Sequence, residues 1–65
     1  MNQPTNLLAQ ASHALHANDR PTARALLAET LRADPANAEA WLLLSEAVEQ
    51  PAQRRDCLER VLLLD

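Results

Sequence analysis

Apolar residues recur along this chain every three or four positions, and Pro, Asp and Asn interrupt the pattern three times. The set Leu7, Leu8, Ala11, Ala14 and Leu15 predicts a first helix over about 4–17, with Pro4 in the first turn, where its missing N–H costs nothing. Asn18-Asp19-Arg20-Pro21 supplies a turn, with Asp19 as the candidate cap. Ala23, Leu26, Leu27, Thr30 and Leu31 follow at i, i+3, i+4, i+7 and i+8, the cleanest amphipathic stripe in the sequence, and predict a helix over 20–33. Asp34 must leave the helical region because Pro35 follows it. Asn37 then caps a third helix, with Glu39 complementing its dipole, and Trp41, Leu44 and Val48 form its stripe beside Ala40 and Ala47, to about Glu49. Pro51 opens a fourth helix through Leu58, Val61 and Leu62. Turns this short make neighbouring helices antiparallel. The predicted fold is therefore all-α: four helices in two stacked helix-turn-helix hairpins, about 4–34 and 37–65, forming one domain.

Composition supports helix and weakens any expectation of a large core. Hydrophobic residues make up 48% of the chain, mostly Ala and Leu, with no Gly, Phe or Tyr and one Trp, which favours helix over strand. A chain of 65 residues buries only about 60% of the surface its unfolded form exposes. Net charge is −3, and the six basic residues are all Arg, dispersed among acids, so nucleic acid and anionic membrane are not expected partners. The one cysteine, Cys57, makes neither an intrachain disulfide nor a metal site alone and suits a reducing compartment. Met1-Asn2-Gln3-Pro4 does not read as a signal peptide, and no apolar run reaches the roughly 18 residues of a membrane span, so a cytoplasmic location is expected. The use of Arg without Lys, with abundant Ala, matches the coding bias of a GC-rich bacterial genome.

The two hairpins also repeat one another. Leu7-Leu8-Ala9-Gln10-Ala11 is echoed 34 positions later by Trp41-Leu42-Leu43-Leu44-Ser45. Leu26-Leu27, Thr30-Leu31 and Asp34 are echoed 31 positions later by Cys57-Leu58, Val61-Leu62 and Asp65. A large residue early in the first helix of each hairpin with a small one four later (Leu7 and Ala11, Trp41 and Ser45), Ala23 early in the second helix and Pro35 closing the unit make the chain resemble the tetratricopeptide repeat (TPR) family. The resemblance extends over nearly the whole chain. Gln10 departs from it, standing where a Leu is usual, and the second hairpin is three residues shorter around Gln50-Pro51, which predicts a tighter turn there.

No residue set predicts catalysis. His13 and His16 are spaced to share a metal, but no third ligand accompanies them, and a solvated pair at a helix end is the reading preferred. Cys57 lies between Arg54 and Arg60, yet its place in the series Cys57, Val61, Leu64 predicts packing. Ser12, Ser45, Thr5, Thr22 and Thr30 have no nucleophile elbow or phosphate loop around them. Trp41, in step with Leu44 and Val48, is expected to fill the space between the hairpins. No cofactor is implied.

The TPR resemblance implies a non-catalytic protein–protein interaction module, a scaffold within a larger protein, that presents a groove to a peptide or partner helix. Alignment would line that groove with Thr5, Leu8, Ser12 and Leu15 from the first helix and with Glu39, Leu42, Glu46 and Glu49 from the third. Three glutamates around Leu42 would favour a basic or mixed apolar-basic segment. The family's carboxylate clamp needs Lys, which this chain lacks, so the acidic C-terminal tails of chaperones are not the expected ligand.

The last helix suggests an alternative. Val61-Leu62-Leu63-Leu64 is more apolar than a single stripe requires, and repeat arrays expose such a face unless something caps it. One expectation is that the chain forms the N-terminal part of a longer array. The other is homo-oligomerisation, with Leu58, Leu62, Leu63 and Leu64 buried in a homodimer.

Overall fold

The computed structural model describes residues 4–64, with side chains from residue 6 onward. Four helices follow one another: α1 (Pro4–His16), α2 (Arg20–Ala33), α3 (Ala38–Ala47) and α4 (Pro51–Leu64). No strand occurs among the described residues. The chain is all-α, with α1 packed on α2 and α3 on α4; α2 joins the hairpins by packing on α3, which also touches α1.

The turns form where the sequence places its punctuation. After α1, Asn18 adopts a left-handed conformation at φ 61°, so that its N–H reaches the carbonyl of Leu15 at 3.0 Å and the N–H of Asp19 reaches that of Ala14 at 2.8 Å. This pair of hydrogen bonds closes the helix end by the pattern usually built around glycine. Asp19 then caps α2 by accepting from the N–H of Thr22, and Asn37 caps α3 by accepting from that of Ala40 at 3.0 Å. At the end of α2 the N–H of Asp34 still reaches Thr30, and Pro35 forbids continuation.

One boundary differs from expectation. Helix α3 ends at Ala47, not Glu49, and Val48 is extended at φ −88° and ψ 148°. With 10 residues, α3 is three shorter than α1, whereas each hairpin's inner turn spans three residues. The shortened repeat therefore removes most of a turn from the helix and leaves the connection as long as before. Two arginines hold the early end: Arg24 of α2 donates to the carbonyl of Ala47 at 3.1 Å, and Arg54 of α4 to that of Ser45 at 3.2 Å. Free carbonyls at a helix C-terminus carry partial negative charge, so guanidinium donors satisfy both hydrogen bonding and dipole.

Small side chains let the helices approach closely. The buried cluster consists of Leu8, Ala11, Ala14, Ala23, Leu27, Ala40 and Ala47, with Leu15, Leu26, Leu31, Leu43 and Leu44 packed around it. Thr30 is wholly buried, its hydroxyl bonded to the carbonyl of Leu26 at 2.9 Å, and buried Ser45 bonds that of Leu42. Trp41 does not fill the space between the hairpins: it is half-buried at the margin. There its indole N–H donates to the carbonyl of Pro35 at 2.9 Å and the Arg60 guanidinium stands 5.4 Å from the ring centre, a cation–π distance. The small side chains of Ala40 and Ala47 on the same helix are instead wholly buried in the core cluster.

Candidate interaction surfaces

The aligned groove residues separate into two groups. Leu8 belongs to the buried core and Leu15 packs against it, so neither offers a free apolar side chain; their stripe faces α2 and α3 rather than a ligand. Ser12 is half-buried and its carbonyl accepts from the ring N–H of His16 at 2.8 Å. The Thr5 side chain lies outside the described residues. On α3, by contrast, Glu39, Leu42 and Glu46 are all exposed at the three- and four-residue spacing of one helix face. Glu49, expected to continue this face, lies beyond the helix end and approaches Arg20 at 3.7 Å in an exposed ion pair. Such a pair contributes about 0–1 kcal/mol, so Glu49 remains free to exchange partners.

A second surface lies on α4. Leu58 is 40% exposed, Leu62 78%, Leu63 81% and Leu64 41%, and among the described residues Leu42 is the remaining exposed large apolar residue. Val61, behind them, is half-buried and Cys57 is buried.

Two shallow clefts accompany these faces, and neither was legible from residue type. One runs between α1 and α2 past Asn6, Gln10, His13, Asp19 and Thr22. The other surrounds the α3–α4 turn, lined by Arg24, Glu49, Gln53, Asp56 and Cys57. Burial, and secondarily the charge of Asp56, push the Cys57 thiol above its ordinary pKa. It is therefore protonated at neutral pH and a weak nucleophile, despite the arginines beside it in sequence. Among the described residues, no group of three or more His, Cys, Asp or Glu is placed to hold a metal. No helix among them is long and apolar enough to cross a membrane.

No protein-family model, curated protein or solved structure matches this chain. What its own geometry defines is an all-α chain of two helical hairpins with exposed carboxylates around Leu42 on α3 and four exposed leucines near the end of α4.

Proposed function

We propose that this chain is a non-catalytic, TPR-like interaction module, a scaffold within a larger bacterial protein, and that it holds a basic or apolar-basic peptide or partner helix against α3. The observation that carries this reading is the exposed Leu42, 46% accessible, between Glu39 and Glu46 on a single helix face. An apolar anchor flanked by carboxylates matches a segment in which a leucine-like side chain is flanked by Lys or Arg, each supplying the charge that the other lacks. Glu49, two residues beyond the end of that helix, adds a fourth contact by exchanging Arg20 for the ligand. The buried, protonated Cys57 is suited to a reducing cytoplasm, where the module would work.

A synthetic amphipathic peptide of Leu, Ala and Lys, titrated by calorimetry, tests the reading. Binding is expected to weaken as salt rises toward 1 M, where charges further apart than about 3 Å are screened. The triple variant Glu39→Lys, Glu46→Lys, Glu49→Lys should bind about tenfold or more weakly, equivalent to about 1.4 kcal/mol, with helical circular dichroism preserved. Unchanged affinity would show that α3 is not the recognition face.

A further inference from the structure

We draw no further inference here: the strongest candidate, the surface patch of exposed leucines near the end of α4, is an unpartnered apolar surface, and nothing in the structure shows what covers it.

Discussion

Asn18 shows how much one backbone angle settles. The chain contains no glycine, yet the end of α1 requires a left-handed residue, and asparagine is among the few other residues that tolerate φ near 61°. Replacing Asn18 with Ala should cost about 1 kcal/mol, because the Cβ clash remains and the polar side chain is lost, whereas Asn18→Gly should stay within about 0.5 kcal/mol of the parent. Urea unfolding of the two variants checks this, and equal stability would mean that the turn can relax to another conformation. The sequence pattern located this turn, but not which residue takes the left-handed angle. Leu8 and Leu42 illustrate the same limit. They are equivalent positions of the repeat, yet one is in the core and the other is 46% exposed, because α1 has α2 and α3 around it while α3's corresponding face looks outward.

At the scale of the element, α3 is the shortest helix and has no basic residue in its last turn. Its C-terminal dipole is served from outside, by Arg24 across the hairpin boundary and Arg54 from α4. A hydrogen bond from a charged donor contributes about 1.5–3 kcal/mol where water is kept away. These guanidiniums are part-exposed, so the double variant Arg24→Met, Arg54→Met should lose about 1–2 kcal/mol while its apolar stems preserve the packing. Denaturant unfolding measures the loss, and a change below about 0.3 kcal/mol would show that water serves the carbonyls equally well. Helix boundaries set by caps and prolines were readable at α2 and at the start of α3. The end of α3 was not, since the arginines that serve it lie 23 and nine residues along the chain from the carbonyls they bond.

For the molecule as a whole, the core is thin. Its buried cluster holds two leucines among five alanines, and net stability of about 0.05–0.15 kcal/mol per residue leaves a chain of this length only about 3–10 kcal/mol. Leu27→Ala, at the fully buried centre, should cost about 2–5 kcal/mol, a large share of that total, and lower the melting temperature accordingly. Ala40→Leu should also destabilise, by about 1–3 kcal/mol, since the helices meet there with no space to spare. Thermal melts followed by circular dichroism report both, and a tolerated Ala40→Leu would mean that α2 and α3 can separate. This shortage of large buried side chains is also why the uncovered leucines of α4 matter, because each one removed from water contributes about 1.5–3 kcal/mol, a large fraction of the total.

The sequence by itself determined the number of helices, their order, most of their ends and the antiparallel hairpins, because these follow from local causes: helical periodicity, the restriction before proline, side-chain caps and short turns. Tertiary structure decided which members of each stripe are buried. Ala40 is wholly buried while Trp41 is half-buried and bonded to Pro35, because close helix packing selects small side chains, a condition that hydrophobicity alone does not encode. Packing likewise withdrew Leu8 from the candidate groove, moved Glu49 off α3 and left Leu62 and Leu63 in solvent. Each depends on what stands opposite a residue in space, which periodicity along one helix does not specify.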